Sequence, residues 1–529
     1  MEARVRVSET SVLVVGGGPV GLTLSALLSG YGVDHLLVEA RDSTSRHPKA
    51  RGISARSMEI FRRLGLEQAV RQAGLPADQV FFYRGRDLLD PDYTRTGLGH
   101  QPAEDEEKTP SPGLICSQDV LEPVLLQHAT ALAGPRITFG TRLVSFTDHG
   151  RGVLAEVEDS ATGARRGVAA DWLVGCDGAA STVRSLAGVA MEGPTGLGRY
   201  LSIRFEAPLG KIVADRASAS YFLTVPGRGG FMAVDNDRCW IYQYPLPDSP
   251  DARPRVDFSD HGYLAELIRT AAGIPGLEVT VQDTMTWRMD AQLATAYRNS
   301  RVLLAGDSAH VIPPTGGHGM NTGIGDADNL AWKLAAVTAG VAGEALIDTY
   351  ETERRPIARQ VIGISTDNAR ARAGYRIDDE LLLTAAYHST AVIPAWGQPS
   401  GDSTLDPAGY RPTCRPGTRA PHIRLTGGPD SLSSTLDLIG PDFTVITSTG
   451  NPAWRRQADT ARAAGLPVTA LAVNTITQRA ATPGQWEHIL GTSDPDAALL
   501  VRPDGHIAWC ADNAEASLTA ALQRILARA

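Results

Sequence analysis

Residues 11–15 are apolar after Ser11 and do not alternate, the pattern of a strand buried on both faces of a parallel sheet. A glycine-rich turn follows, and Leu22, Leu24, Ala26, Leu27 and Leu28 then predict a buried helix. Residues 35–39 (HLLVE) predict a second strand, which completes a βαβ unit within the roughly 30 residues such a unit needs. Helices are predicted over 54–73 and 118–132, strand-like alternation over 136–158 around a turn at 149–152, and a short apolar strand at 172–176.

From about 195 to 290 the texture changes. Short β-like runs at 200–205, 220–225, 231–234 and 239–244 are separated by turn residues, with one helical stretch at 263–272. This predicts an antiparallel sheet in a separate lobe. A buried strand returns at 301–305, followed by two long helices near 322–340 and 343–371. Residues 396–432 are rich in Pro, Gly, Ser and Thr and mark a domain boundary. Beyond it the order strand 443–448, helix 453–464, strand 468–473, hairpin 498–502 and 506–510, helix 514–527 is that of a small thioredoxin-like domain. The expected fold class is α/β. Its units are a discontinuous Rossmann-like domain over 1–194 and 291–395, an interleaved β-rich lobe over 195–290, and the tail over 396–529.

The chain's 529 residues are too many for one compact core, in keeping with several domains. Hydrophobic residues make up 43% and the net charge is −9, which speaks against a nucleic-acid partner. No apolar run approaches the roughly 18 residues that span a bilayer, and the first ten residues do not read as a secretory signal. A cytoplasmic protein is expected, without a membrane partner and as a monomer or homodimer. Cys116, Cys176, Cys239, Cys414 and Cys510 are scattered, without CxxC or metal-ligand spacing. They are expected to be reduced thiols, and no metal site is expected.

Three segments carry chemistry. Gly16, Gly18 and Gly21 form a GxGxxG fingerprint between a strand and a helix, so that phosphates can approach backbone N–H groups and the positive end of the helix dipole. Glu39 lies 23 residues after Gly16, at the end of the second strand, where an acid binds ribose hydroxyls. The second segment runs from Cys176 through Asp177 and Gly178 to Arg184. The third begins Gly306-Asp307-Ser308-Ala309-His310 and continues to Asn321.

In this order and spacing the three segments resemble the para-hydroxybenzoate hydroxylase family of single-component FAD monooxygenases, over residues 11–370. The β-rich lobe and thioredoxin-like tail are similar to the hydroxylases of aromatic polyketides and to phenol hydroxylases. The resemblance implies that Gly16, Gly18, Gly21 and Glu39 bind the ADP half of FAD. It puts Lys49 beside the pyrophosphate and Gln118 against the flavin. Asp177, Gly178 and Arg184 match a motif linked to both FAD and NADPH, and Asp307 matches the aspartate on the ribityl chain. Pro314, Gly319, Met320 and Asn321 match the loop beside the isoalloxazine ring. The implied reaction is hydroxylation of a phenolic polycyclic aromatic through a flavin C4a-hydroperoxide, with O2 and NADPH or NADH. No second dinucleotide fingerprint occurs, which fits transient docking of the nicotinamide.

The residues add three readings of their own. Glycines 316, 317 and 319 keep side chains clear of a flat ligand, and a helix starting near Asn321 offers its positive end to a reduced ring. His310 and His318 read as structural or solvent-facing, and no catalytic residue is assigned. Trp240, Tyr242 and Tyr244 share one strand face, where they line an aromatic pocket or pack the sheet. Tyr221, Met232, Tyr242 and Pro314 are the candidate substrate contacts. A Baeyer–Villiger oxygenase or epoxidase would carry the same signatures. A catalytically silent FAD-binding protein is the alternative of another class, and the intact 313–321 loop speaks against it.

Overall fold

The computed structural model describes residues 7–97, 107–247, 258–371, 380–395, 401–426, 433–447, 451–473, 479–480, 489 and 496–528. The expected boundary at 396 lies outside these residues. The first strand is longer than its apolar run, Val7–Val15, and sits between His35–Val38 on one side and Arg165–Gly175 on the other, parallel to both. Val302–Leu304 extends the parallel sheet beyond Arg165–Gly175, and Ile137–Thr138 extends it beyond His35–Val38. The helices Pro19–Gly30 and Gly319–Thr338 pack together on this sheet, and its apolar strands reach essentially zero exposure. Burial on both faces explains why these strands read as unbroken apolar runs.

The helix expected over 54–73 is two helices, Ala55–Arg63 and Glu67–Ala73. Gly65, at φ +72°, ends the first, and Leu66 N–H bonds back to the Phe61 carbonyl.

The second sheet has seven strands, and its composition corrects the expected lobe. Five strands come from 198–289, but Phe81–Gly85 and Thr94–Gly97, from well before residue 195, complete it. Phe81–Gly85 joins by parallel pairing with Ser220–Leu223. Leu201, Ile203, Phe205, Tyr221, Phe231, Trp240 and Tyr242 alternate onto one face and pack beneath the helix His261–Ala272.

The tail is a four-stranded sheet in the order Val468–Ala472, Phe443–Thr447, Ala498–Val501, Ile507–Ala511. The first pair is parallel and the other two antiparallel, with the helices Pro452–Ala463 and Leu518–Ile525 alongside, as in a thioredoxin fold. Its core takes in Trp332 and Leu346 of the first domain, and Trp332 meets Phe443 edge-on at 5.6 Å between ring centroids. All five cysteines are free thiols, and burial pushes the Cys510 thiol up to about 12. Among the described residues no helix is long and apolar enough to cross a membrane.

Candidate active site

Four adjacent parallel strands end at one edge of the first sheet, and each of the three sequence signatures begins there. Val38 leads into Glu39, Val15 into Gly16, Gly175 into Cys176–Asp177, and Leu304 into Ala305–Gly306–Asp307. Crevices outside the carboxyl ends of such strands are where open α/β sheets bind ligands.

At the first turn, Gly16 has φ +114°, and a Cβ there would lie 2.3 Å from the Cys176 carbonyl oxygen. A Cβ on Gly21 would lie 1.9 Å from the Gly16 oxygen, so helix and strand meet only because both residues lack one. Gly18 differs. A Cβ there would meet nothing nearer than Glu122 Oε1 at 4.0 Å, which leaves open space beside the turn. Gly18 caps the helix Pro19–Gly30 without a side-chain hydrogen bond, and no acid lies in the first turn. An uncapped helix end facing open space fits a pyrophosphate.

Glu39, at the end of its strand, is 8% exposed. It accepts from Gly17 N–H at 2.5 Å and from the Arg41 N–H and Nε–H, both at 2.9 Å. Burial pushes its carboxyl up, but the bonds from Arg41 and Gly17 outweigh that and hold it below the usual range. Gln118 opens its helix at 118 as expected, and its Nε2 donates to Glu122 Oε1 at 2.6 Å. Glu122 is fully buried and also accepts from Ser45 N–H at 2.6 Å. Sequence reading missed Arg41 and Glu122, although Glu122 lies one helical turn after Gln118, on the same face.

Beyond the strand Val302–Leu304, Asp307 is exposed to solvent yet ringed by protein, which pushes its carboxyl up against the opposing charges of His310 and Lys49. Among the described residues no side chain hydrogen-bonds the Asp307 carboxylate or pairs with exposed Lys49. An acid and a base that face the same cleft unengaged fit the polar spine of a dinucleotide.

Two expected cofactor contacts are occupied by the protein itself. Asp177 accepts from Ser181 Oγ at 2.5 Å and from Val183 N–H at 3.0 Å, and so caps the short helix that carries Arg184. Arg184 donates to the Ser308 carbonyl at 3.0 Å and the Ala179 carbonyl at 2.7 Å, tying the second signature to the third across Gly178. Asn321 is likewise a fastener. Its Oδ1 accepts from Ser54 N–H (2.9 Å) and Ser57 Oγ (2.8 Å), and its Nδ2 donates to the Gly52 (2.9 Å) and Gly317 (2.7 Å) carbonyls. These bonds fix the 312–318 loop, in which Gly316 and Gly317 have φ +144° and +73°. Pro314 is exposed on that loop, Gly319 opens the helix Gly319–Thr338, and Met320 is buried behind it. That helix start has no side-chain cap and no acid in its first turn. His310 is fully buried, its Nε2 2.7 Å from Asp326 Oδ2, and His318 is buried at the helix cap.

The substrate candidates separate. Tyr221 and Tyr242 lie in the core of the second sheet, 0% and 1% exposed. The Tyr221 hydroxyl donates to Asn236 Oδ1 at 2.8 Å and the Tyr242 hydroxyl to the Arg228 carbonyl, and burial pushes both well above the usual phenol range. Of the two readings for the face shared by Trp240 and Tyr242, packing of the sheet is the one observed, and Tyr221 lies in the same packed cluster. Met232 is on the opposite face, in register with Ser220 and Ile241 and beside the row of Phe222 and Gln243. Arg51 ties that face to the flavin-loop side. It directly precedes Gly52, and its guanidinium donates to the Ala219 carbonyl (2.8 Å), the Ala233 carbonyl (2.9 Å) and Ser220 Oγ (2.7 Å). Sequence reading missed Arg51.

The chain matches the FAD binding domain family over residues 9–365 and the family described as aromatic-ring hydroxylase, C-terminal, over 413–529. It is 38% identical to the tetracenomycin A2 monooxygenase-dioxygenase of Streptomyces glaucescens, covering 98% of this chain and 97% of that one. It is 36% identical to the 4-methyl-5-nitrocatechol 5-monooxygenase of a Burkholderia species, covering 98% of each. A solved ternary complex of aklavinone-11 hydroxylase with FAD and aklavinone superposes with a TM-score of 0.86 at 32% identity, over 98% of this chain and 99% of that one. The four strand ends, the open helix turn and the unengaged Asp307 thus coincide with a family match across the chain, which belongs to the FAD-dependent aromatic-ring hydroxylases, monooxygenases that use NAD(P)H as reductant.

Proposed function

We propose that this hydroxylase acts on a phenolic polycyclic aromatic of polyketide type. The observation that carries the reading is the face of the seven-stranded sheet tied to the flavin loop by Arg51, where Met232, Ile241 and Phe222 form an apolar stripe beside the polar Ser220 and Gln243. A flat ring system fits such a face, with a few polar groups to orient it. The relatives named for tetracenomycin A2 and aklavinone favour a fused-ring substrate, and the nitrocatechol relative marks the single-ring outcome of the test.

In this reading Glu39 and the helix Pro19–Gly30 would hold the ADP half of FAD, Lys49 the pyrophosphate and Asp307 the ribityl hydroxyls. Gly319 and the free N–H groups of its helix would stabilise negative charge on the reduced ring. Asn321, Asp177 and Arg184 act indirectly, by holding the loops in place. FAD supplies the reductive activation of dioxygen, and the protein's share is to orient the substrate ring and exclude water.

The test is NADPH and NADH oxidation by the FAD-loaded protein, alone and with tricyclic and tetracyclic phenols or single-ring catechols. The reading expects slow oxidation alone and acceleration of at least several-fold with a fused-ring phenol that is then hydroxylated. Acceleration by catechols alone would overturn the substrate assignment.

A further inference from the structure

The thioredoxin-like tail has no CxxC, yet it reaches into the flavin domain with charges. Its hairpin turn 502–506 (Arg-Pro-Asp-Gly-His) is the point of contact. Arg502 is fully buried and forks onto Glu353, Nη1 to Oε1 at 2.7 Å and Nη2 to Oε2 at 2.8 Å. Lys333 meets the same carboxylate at 2.8 Å.

Three routes run from this turn to the flavin-ring loop. In the first, the Asp504 carbonyl accepts from Arg56 Nη2 at 2.5 Å. Arg56 lies on the helix turn where Ser54 and Ser57 hold Asn321, and Asn321 holds the Gly317 carbonyl. The second runs through the helix that starts at Gly319, since Asp504 Oδ2 accepts at 3.2 Å from Nε1 of Trp332, more than three turns along it. In the third, His506 stacks on Tyr387 with ring centroids 4.1 Å apart. The Tyr387 hydroxyl accepts from Arg354 Nη1 at 3.0 Å, and Arg354 Nη2 donates to the Thr322 carbonyl at 2.8 Å, in that helix's first turn. A cavity of about 10 Å3, room for one water, lies where the routes converge, between Asn321, Arg56, Tyr387, Asp504 and His506.

Adhesion alone does not require this arrangement. The tail already packs its apolar core on Trp332 and Leu346, and buried ion pairs contribute little net stability after desolvation. What they impose is geometry, because a fork on Glu353 and bonds to two separate helices are satisfied in one arrangement only. We propose that the 502–506 turn is a positioning element that sets the flavin-ring loop. Through it the C-terminal domain governs how much of the reduced flavin's output reaches substrate. This rests on the monooxygenase reading. Productive turnover consumes NADPH, a proton, O2 and substrate C–H to give NADP+, C–OH and water. Leakage consumes NADPH, a proton and O2 to give NADP+ and hydrogen peroxide.

The test uses the full-length, FAD-loaded protein with Asp504→Asn, which keeps shape and removes charge, and with His506→Gln. Two readouts are normalised to bound flavin: the visible circular dichroism of FAD, and peroxide formed per NADPH consumed with substrate present. The expectation for Asp504→Asn is an altered dichroism band and a peroxide share at least threefold above wild type. A merely structural role would lower the amount of bound FAD but leave both normalised readouts unchanged. If Asp504→Asn does not fold, His506→Gln is read in the same way. Wild-type dichroism and peroxide share in whichever variant folds overturns the proposal. If the wild-type protein hydroxylates no phenol, the substrate reading fails by itself, and the dichroism still decides this one.

Discussion

The flavin cleft and the seam between the flavin domain and the tail are both rich in charge, but they use it in opposite ways. In the cleft, the exposed Asp307 and Lys49 have no side-chain hydrogen bond or ion pair among the described residues, and the helix end at Gly18 is uncapped. In the seam, Glu59, Glu353, Arg419, Arg502 and Asp504 are buried, and each is bonded to another protein charge. Arg419 forks onto Glu59 and also donates to the Tyr410 hydroxyl at 2.6 Å. Unengaged charge is available to a ligand, and engaged charge fixes the protein; Glu39, at a strand end yet bonded to Arg41, stands between the two. Removing a cleft charge should therefore cost cofactor affinity and spare the fold, and removing a seam charge should cost stability first.

The largest expected effect lies in the seam. Glu353→Ala leaves Arg502 and Lys333 buried without their acid, and unfolding by urea should show a loss of about 3–5 kcal/mol. A loss below 1 kcal/mol would mean that the seam is as adaptable as a surface.

A pH scan comes next. Burial lowers His506 from 6.5 to about 4, so between these values the unfolded chain binds more protons than the folded one. This contribution is fully present above pH 6.5 and is lost as pH falls toward 4, up to about 3 kcal/mol. In His506→Gln the slope of stability against pH in that window should be shallower than in wild type. An unchanged slope would assign the acid sensitivity to other groups.

The contrast was only half legible in the sequence. The cleft could be read because its chemistry is tied to chain order, each signature following a buried parallel strand. Asp307 and Glu39 fall where that grammar puts them. The seam could not, because Arg56, Glu59, Asp328 and Glu353 sit on helices where charged residues ordinarily face solvent, and their partners are distant in sequence. Asp326, Asp328 and Lys333, breaking the apolar run of the helix Gly319–Thr338, were the one local hint. The strand Phe81–Gly85 was missed for the same reason, as its parallel partner lies far along the chain. Alternation put Trp240 and Tyr242 on one face, but whether that face is packed or open depends on how the lobe docks, to which the Arg51 bonds to the Ala219 and Ala233 carbonyls contribute.

A smaller effect is expected in the cleft. Asp307→Ala should weaken FAD binding by about 1–3 kcal/mol, measured by fluorescence titration of the apoprotein. The apoprotein's own unfolding should stay within about 0.5 kcal/mol of wild type. Unchanged FAD affinity would remove Asp307 from the ribityl site. The smallest effect is expected at Cys510, whose thiol donates to the Cys414 carbonyl at 2.9 Å and is held protonated by burial. Cys510→Ser should retain full turnover. A folded variant without turnover would give the tail a redox role.

A monooxygenase of this kind transfers one atom of dioxygen to the aromatic ring it holds. The most direct measurement is mass spectrometry of the product formed under heavy-isotope dioxygen by the FAD-loaded protein, NADPH and an accepted fused-ring phenol. One heavy oxygen is expected in the new hydroxyl group, and none when the label is supplied in water. A hydroxylated product labelled only from water, or NADPH consumed entirely to peroxide with every ring offered, would contradict it.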